Sequence, residues 1–324
     1  VDEHQKAQRL DVLERLATLQ PTEPGTVDIL GEAAELAREL GDADRSLRLW
    51  RTRLDGNPGD LVALSARIDL LAVVERWEEL IADLELRAGA RAASDPDDVR
   101  AAREDLIRVA ALEVDKRRDL GRAIEVWEEI EQRFGRDAES VDALVELLAL
   151  AERYEAVVQL LGEALSAEPD PARRIRQHAR LGDVLRLHRG EPLRAIDHYR
   201  SALELAPTDE MARAGLRALL QDAELAEQAA EALAQALRAA EEWHALLDLV
   251  EIRLGATDAP QRRRDILLEA AAVHEQRTGD LANALHAVQR AFPFEPSADI
   301  EAELLRLARA TGDFEAAVVG YRRA

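Results

Sequence analysis

A repeated segment constrains the fold of this chain more than any other feature of its sequence. The segment GEPLRAIDHYRSALELAPTD (190–209) has counterparts in GDADRSLRLW, RDLGRAIEVW and GDLANALHAV, which begin at 41, 118 and 279. A second segment follows each of these: ERWEELIADL, ERYEAVVQLL, EEWHALLDLV and GDFEAAVVGY, beginning at 75, 152, 241 and 312. Such self-similarity predicts stacked copies of one structural unit, none of which is stable alone.

The distance between the two segments indicates how many helices each of the four repeats holds. Trp50 and Trp77 are 27 residues apart, whereas the equivalent Tyr199 and Trp243 are 44 apart. A regular repeat is long enough for four helices in two antiparallel hairpins, and repeat three carries about 17 further residues. This pattern predicts about 18 helices in the whole chain.

The further residues of repeat three predict an additional helix over 208–221. One more helix shifts the alternation of helix types, so we expect the curvature to change between about 205 and 245. The domain prediction is therefore an N-terminal solenoid arm over 1–222 and a C-terminal arm over 223–324. The two arms are expected to be continuous across the additional helix.

Local signals support helices everywhere and strands nowhere. Aromatic residues make up only 3% of the chain, and Ala, Leu, Glu and Arg, which favour helices, dominate it. Apolar residues recur at three- and four-residue spacing, and no segment alternates with the period of a strand. An aspartate followed by proline predicts three helix starts, at Asp95-Pro96, at Asp170-Pro171 and at Asp258 with Pro260. In the additional helix the expected cap is Thr208 or Asp209, and its predicted apolar stripe contains Met211, Leu216, Leu219 and Leu220. The fold class is all-α.

The first hairpin of repeat three resembles a tetratricopeptide repeat (TPR), whose pattern is W-x2-L-G-x2-Y…A-x3-F…P. Leu181-Gly182 and Leu185 stand at the L-G-x2-Y positions, although the first loop is one residue longer than in that family in repeats two to four. The resemblance extends to large Ala- and Arg-rich TPR proteins of GC-rich bacteria such as myxobacteria. It implies a right-handed α-α superhelix of antiparallel hairpins. The residues it assigns to packing between helices are Ala123, Trp127, Gly182, Ala195, Tyr199, Ala202, Pro207, Ala271 and Ala284.

The same resemblance implies a binding groove, since the first helix of each TPR hairpin lines a concave surface that holds a peptide or partner helix. By position, the lining residues here are Arg176, Ala179, Asp183, Arg186, Leu268, Ala272 and Glu275. Chaperone-binding TPR proteins place a Lys and an Asn at two of these positions to hold a terminal carboxylate. Ala179 and Asp183, or Leu268 and Ala272, stand there instead, which argues against that particular function.

Charge restricts the class of partner. The formal net charge is −22, from 65 acidic and 43 basic residues. Nucleic acids and anionic membrane surfaces are bound by clustered basic residues, so neither is expected as a partner. We expect a protein or peptide that is more basic than acidic, while self-association remains possible. The chain has no cysteine and no apolar stretch approaching the roughly 20 residues of a membrane span.

No catalytic motif is present in the sequence, and no cofactor, metal or catalytic residue is predicted. Phosphate-binding, dinucleotide-binding and nucleophile-elbow motifs are missing, and no two of the seven histidines have the H-E-x-x-H spacing. His188 and His198 are a remote candidate pair for a metal. Two arginine clusters begin equivalent helices, Arg173, Arg174 and Arg176 in repeat three and Arg262, Arg263 and Arg264 in repeat four. We favour pairing with acidic residues of the preceding hairpin, with an anionic ligand as the alternative.

These observations favour a non-enzymatic scaffold that binds a peptide or partner protein on its concave surface. One alternative is a regulatory or sensor arm of a larger enzyme whose catalytic domain lies outside this segment. Another is a structural array that assembles with itself. Both ends of the sequence look truncated, and the expected location is the cytoplasm.

Overall fold

The computed structural model describes residues 3–19, 25–91 and 96–323, and within them it contains helices and no strand. The predicted all-α class is therefore confirmed. The described helices form eighteen rods, because α14 and α15 are separated by Leu249 alone. The chain divides into two compact units, Val1–Arg153 and Tyr154–Ala324.

The first compact unit contains the eight helices that precede Tyr154. They are α1 (Glu3–Leu19), α2 (Thr26–Glu39), α3 (Ala43–Gly56), α4 (Leu61–Val73), α5 (Trp77–Arg91), α6 (Pro96–Leu112), α7 (Leu120–Phe134) and α8 (Ala138–Leu150). Consecutive helices from α1 to α8 pack against each other. Contacts between sequence neighbours are what a stack of hairpins requires.

The second compact unit contains the remaining helices, including the additional one. They are α9 (Tyr154–Ala167), α10 (Pro171–Val184), α11 (Pro192–Leu205), α12 (Glu210–Leu219), α13 (Ala226–Ala239), α14 (Trp243–Asp248), α15 (Val250–Gly255), α16 (Pro260–Val273), α17 (Leu281–Ala291), α18 (Ala298–Thr311) and α19 (Phe314–Arg323). A short 3-10 turn, Phe292–Phe294, follows α17.

Aspartate side chains cap many of the helix N-termini by accepting hydrogen bonds from backbone N–H groups of the first turn. These caps are Asp42, Asp60, Asp119, Asp137, Asp170, Asp209 and Asp280. The expected cap Asp95 lies outside the described residues. The prediction for Asp258 was wrong: the residue before α16 is Ala259, and the Asp258 carboxylate instead contacts the Arg263 guanidinium at 3.0 Å.

The longer first loop of repeats two to four is absorbed as a turn of π-helix at the end of α6, α10 and α16. These turns are Glu113–Arg117, Leu185–Arg189 and His274–Thr278. A left-handed residue ends each turn, and the N–H of the following residue donates to the carbonyl of the first turn residue at 2.8–3.0 Å. A π-turn inserts one residue into a helix without breaking it, so the hairpins keep their packing despite the insertion.

The additional helix of repeat three is present as α12, which packs against α10, α11 and α13. Leu216 and Leu219 are buried, whereas Leu220 is half-buried and Met211 is 50% exposed. The predicted stripe was therefore one position too long at its C-terminal end and about one turn too long at its start. The expected change of curvature, and the division at 222, stay predictions.

The side chain of Tyr199 fills a space between α10 and α12 that two glycines leave open. Its ring is fully buried, and a Cβ built on Gly182 or Gly215 would lie 2.5 Å or 2.2 Å from ring atoms. Both distances are well inside van der Waals contact. Gly215 therefore joins the additional helix to the regular hairpin, a role that its sequence position did not reveal.

The residues assigned to packing lie mostly in the interior. Ala123, Trp127, Gly182, Ala195, Tyr199, Ala202, Ala271 and Ala284 are buried, and Pro207 is half-buried in the turn before α12. Small side chains at these positions let helix backbones approach closely, which is consistent with the low aromatic content of the chain.

Second-hairpin turns place three glutamates in the left-handed region. Glu75, Glu152 and Glu241 have φ values of 57°, 55° and 57°, and glycine occupies the equivalent position 312 in repeat four. Left-handed backbone costs an L-residue about 1–2 kcal/mol, whereas glycine adopts it freely. Each glutamate therefore stores local strain.

We predict that Gly215→Ala lowers the free energy of unfolding by about 1–3 kcal/mol, because the new methyl overlaps the Tyr199 ring. Gly162→Ala is the matched control, since Gly162 lies on exposed α9 surface with open space around its Cα. The control substitution should be neutral or stabilise by up to about 1 kcal/mol through helix propensity. Chemical denaturation measures both, and equal effects of the two substitutions would contradict the assigned packing.

We also predict that Glu75→Gly raises the free energy of unfolding by about 0.5–1 kcal/mol by relieving left-handed strain. Glu75→Ala removes the same carboxylate but keeps a Cβ, so it should give no comparable gain. Thermal or denaturant unfolding separates the two variants. A gain with alanine as large as with glycine would show that charge, not backbone conformation, limits stability there.

Candidate binding surfaces

The groove residues expected in repeat three lie in different environments. Arg176 is exposed, but Ala179 is only 1% exposed and packs inside the hairpin, so its assignment as a lining residue needs correction. Asp183 and Arg186 are half-buried and hold the Tyr199 hydroxyl, which donates to Asp183 Oδ1 at 2.6 Å and accepts from Arg186 Nε at 3.1 Å. Burial and the neighbouring Asp183 carboxylate raise the pKa of Tyr199. Two expected binding residues thus also stabilise the helix packing.

The groove residues expected in repeat four are more accessible. Ala272 is exposed, and Leu268 is half-buried against the apolar core of the second compact unit. Glu275, also half-buried, makes an ion pair of 2.6 Å with Arg306 of α18. A partner at this surface would meet a carboxylate that is already neutralised.

Four of the six clustered arginines pair with acidic residues. The interpretation from the sequence, pairing with the preceding hairpin, fits Arg262 but not Arg264, whose partner Asp265 lies in its own helix. The ion pairs are Arg173–Glu168 at 3.6 Å, Arg262–Glu231 at 2.8 Å, Arg263–Asp258 at 3.0 Å and Arg264–Asp265 at 2.7 Å. Arg264 also pairs with Glu295. These contacts neutralise the positive charge that opposes the dipoles of α10 and α16, so they weaken the argument for an anionic ligand.

An ion-pair network that sequence analysis missed connects α13, α15 and α16. Arg253 is 5% exposed and donates to Glu231 at 3.0 Å and to Glu269 at 2.6 Å, while Arg238 contacts the same two carboxylates. Burial would raise the pKa of Glu269, but the two guanidiniums hold it below its usual range. The excess of acidic residues gives each arginine many candidate partners, so spacing alone could not identify this network.

Histidines 178 and 198 form a close pair between α10 and α11. Their Nδ1 atoms are 3.1 Å apart, a distance at which one ring nitrogen donates and the other accepts. Burial lowers the pKa of both rings, with Arg174 adding to the effect at His178, and His178 and Arg194 at His198. Glu204 and Asp197 oppose the shift. Both rings are therefore held in the neutral form.

A recurring contact joins the π-turns after α6, α10 and α16 to the aromatic residues that begin α5, α9 and α14, respectively. The three pairs are Lys116 with Trp77 at 4.7 Å from the ring centroid, His188 with Tyr154 at 3.8 Å between centroids, and Arg277 with Trp243 at 4.6 Å. In each case the cation or imidazole is the fourth residue of the π-turn. His188 is thus stacked on an aromatic ring, apart from the histidine pair, which argues against the remote metal pairing with His198.

Two clefts open on the first compact unit. The larger, of about 730 Å³, lies among the first helices of the two hairpins of repeat one, α2 and α4, and the start of α3. Its lining combines apolar Ala66, Leu70 and Val73 with charged Glu35, Arg38 and Asp69. The smaller, of about 440 Å³, lies between α5 and the start of α7 and is mostly acidic.

Across 3–19, 25–91 and 96–323, no three histidine or acidic side chains are grouped so that they could hold a metal ion. Among the helices described in those ranges, none is both long and apolar enough to span a bilayer.

Comparisons with known proteins find similarity in architecture alone. No protein-family model matches the chain, and no curated protein matches it. A structure of Naa15/Naa10 bound to HypK-THB is 14% identical, with a TM-score of 0.44 over 98% of this chain and 62% of that chain. A tetratricopeptide repeat protein from Parabacteroides merdae is 14% identical, with a TM-score of 0.30 and coverages of 76% and 91%. The C-terminal part of a TPR repeat-containing protein from Cytophaga hutchinsonii is 14% identical, with a TM-score of 0.34 and coverages of 84% and 98%.

This chain spans less than two thirds of the Naa15/Naa10 chain it resembles. The fold defines an α-helical repeat protein built from successive helical hairpins.

The histidine pair predicts a pH dependence of stability. Because its folded-state pKa values lie below the unfolded value of about 6.5, the unfolded chain binds more protons as pH falls. The free energy of unfolding should therefore decline from about pH 7 to about pH 5, and less steeply in His178→Gln/His198→Gln. Exposed His244→Gln is the control and should keep the wild-type slope. Parallel slopes for all three proteins would contradict the assignment.

Proposed function

We propose that this chain is a non-enzymatic scaffold that binds a peptide or partner protein along the first helices of its hairpins. The observation that carries the proposal is the cleft of about 730 Å³ between α2 and α4. Val73, at the end of α4, is 79% exposed there, although it is an aliphatic residue. An open cleft with an apolar floor and charged edges is more typical of a peptide-binding site than of an enzyme active site.

The position of this cleft agrees with what the sequence resemblance implies. α2 and α4 begin the two hairpins of repeat one, as α10 and α16 begin the first hairpins of repeats three and four. Six of the sequence-predicted positions on those later helices and their π-turns remain at least partly accessible: Arg176, Asp183, Arg186, Leu268, Ala272 and Glu275. We propose that, within the second compact unit, these residues contact a partner.

Charge supports a basic partner. A chain with a net charge of −22 attracts cations over a distance of about one Debye length and steers basic proteins toward it. The carboxylates of Glu35 and Asp69 line the cleft, although the Arg38 guanidinium pairs with Glu35 at 2.6 Å. The proposed ligand is therefore a peptide with basic residues flanking an apolar anchor.

We predict that selection from a random peptide library against this chain enriches such sequences. Their affinity should fall as NaCl rises from about 50 mM to about 300 mM, because salt screens the attraction. Val73→Arg should weaken binding about tenfold by removing apolar contact and repelling the peptide. Fluorescence anisotropy with a labelled selected peptide measures both effects.

Leu86→Arg is the matched control, since Leu86 is 50% exposed in the same compact unit and does not line the cleft. It changes the net charge equally and should alter affinity by no more than about twofold. An equal loss of peptide affinity in Val73→Arg and Leu86→Arg would show that the peptide does not bind in the cleft. Failure to select any peptide, together with concentration-dependent self-association in light scattering, would favour a self-assembling array instead.

A further inference from the structure

The smaller cleft of the first compact unit contains a buried carboxyl group that the fold does not explain. The cleft lies between α5, the π-turn after α6 and the first turns of α7. Its charged lining consists of Glu78, Glu85, Glu113, Arg117, Asp119, Arg122 and Glu125. Five carboxyl groups thus face two guanidiniums across a volume of about 440 Å³.

Part of this charge is compensated within the cleft. Arg122 donates to Glu85 at 2.8 Å and to Glu125 at 3.0 Å, and the Asp119 carboxylate caps α7 by accepting from a backbone N–H. Glu78 is exposed, and among the described residues its carboxylate has no hydrogen bond or ion pair. The cleft therefore keeps an excess of negative charge after its own ion pairs form.

Glu113 supplies the second, independent observation. Its side chain is 1% exposed, and its Oε2 has no hydrogen-bond partner among the described residues, while Oε1 accepts from Arg117 at a long 3.4 Å. A buried oxygen without a donor is costly, so such oxygens call for a partner. The missing partner must be a hydrogen-bond donor, and the surrounding charge favours a cation.

The repeats provide an internal comparison for this position. Glu113 is the first residue of its π-turn, and the same place is occupied by Leu185 in repeat three, which is fully buried, and by His274 in repeat four. The π-turn therefore forms with an apolar residue as well as with a carboxyl. Packing alone does not require a glutamate here.

We propose that this cleft receives a lysine or arginine side chain of the bound partner, whose N–H groups donate to Glu78 and, once the Glu113 side chain turns into the cleft, to Glu113 Oε2. The proposal rests on the scaffold function above and adds a second anchor point to it. An ammonium or guanidinium group supplies several donors and one positive charge, which matches one unpartnered oxygen in an acidic cleft. A metal ion fits less well, because across the described residues no group of three suitable ligands is present.

Binding at this site should release a fraction of a proton that grows as the pH falls. Burial raises the pKa of Glu113, an effect that Asp119 and Glu85 strengthen and that Arg117 and Arg122 oppose. Glu78 and Glu125 also face the cleft. A cation placed against the carboxylate lowers that pKa, so the proton leaves to the buffer when the cation arrives. Calorimetry in two buffers of different ionisation enthalpy counts this proton.

The test uses the full chain with three probes: a capped hexa-arginine peptide, a capped hexa-lysine peptide and spermidine. We expect both peptides to bind with proton release that increases toward about pH 5. Glu113→Gln should weaken peptide binding about tenfold and abolish that release, in line with loss of a charge-assisted hydrogen bond. Glu146→Gln, an exposed glutamate of α8, removes the same charge and should change affinity by no more than about twofold.

Glu113→Leu introduces the residue that repeat three has at this position, Leu185. Because leucine is compatible with the π-turn there, a loss of binding in this variant does not reflect loss of folding. This variant should melt at a higher temperature than the wild type and bind the peptides as weakly as Glu113→Gln. A more stable Glu113→Leu protein with unchanged peptide affinity would overturn the proposal while leaving the scaffold function intact. Tight, Glu113-dependent binding of spermidine without peptide binding would overturn the peptide side chain as ligand and count against the scaffold function too. Absence of binding by all three probes would overturn the site.

Discussion

Close approach of small residues to one aromatic ring is the contact on which the stacking of hairpins depends. Tyr199 can be fully buried only because Gly182 and Gly215 have no Cβ, and its hydroxyl is satisfied by Asp183 and Arg186. A hairpin buries one of its faces internally, and the next hairpin must cover the other. The ring therefore serves both interfaces, one with α10 in its own hairpin and one with α12 in the next. This arrangement explains how the additional helix packs on the regular hairpin: α12 supplies, at Gly215, the space that the Tyr199 ring requires.

The sequence was sufficient for the architecture but not for the local adjustments. Repeat length and apolar spacing predicted hairpins throughout, and the additional helix was placed within two residues of α12 at each end. The π-turns were visible only as a loop one residue too long, because an extra residue can equally well extend a loop. The left-handed conformation of Glu75, Glu152 and Glu241 was hidden for a related reason, since glutamate gives no sign of a positive φ where glycine would.

For the surfaces, sequence reasoning identified the helices but not the state of each side chain. The groove residues implied by the TPR resemblance include Ala179, which is buried in the structure. They also include Asp183, which already accepts a hydrogen bond from the Tyr199 hydroxyl. In a chain with 65 acidic residues, every arginine has several candidate partners at helical spacing. Which pair forms depends on distances between helices, as the contacts of Arg253 with Glu231 and Glu269 show. The clefts are likewise properties of packing and leave no motif.

The internal repeats compensate for this limit, because each position has up to three equivalents that fold in the same way. Where equivalents agree in character, as in the cation or imidazole that stacks on each aromatic residue, the shared feature belongs to the fold. Where one repeat shows that an apolar side chain is feasible, as Leu185 does at the place of Glu113, the fold itself does not require a polar residue there. An unsatisfied buried carboxyl lowers stability, so its presence requires a gain elsewhere. The core of the molecule is built mostly from small and aliphatic side chains, which give the Glu113 carboxyl no donor. We therefore infer that the gain is the binding of a positively charged group in the adjacent acidic cleft.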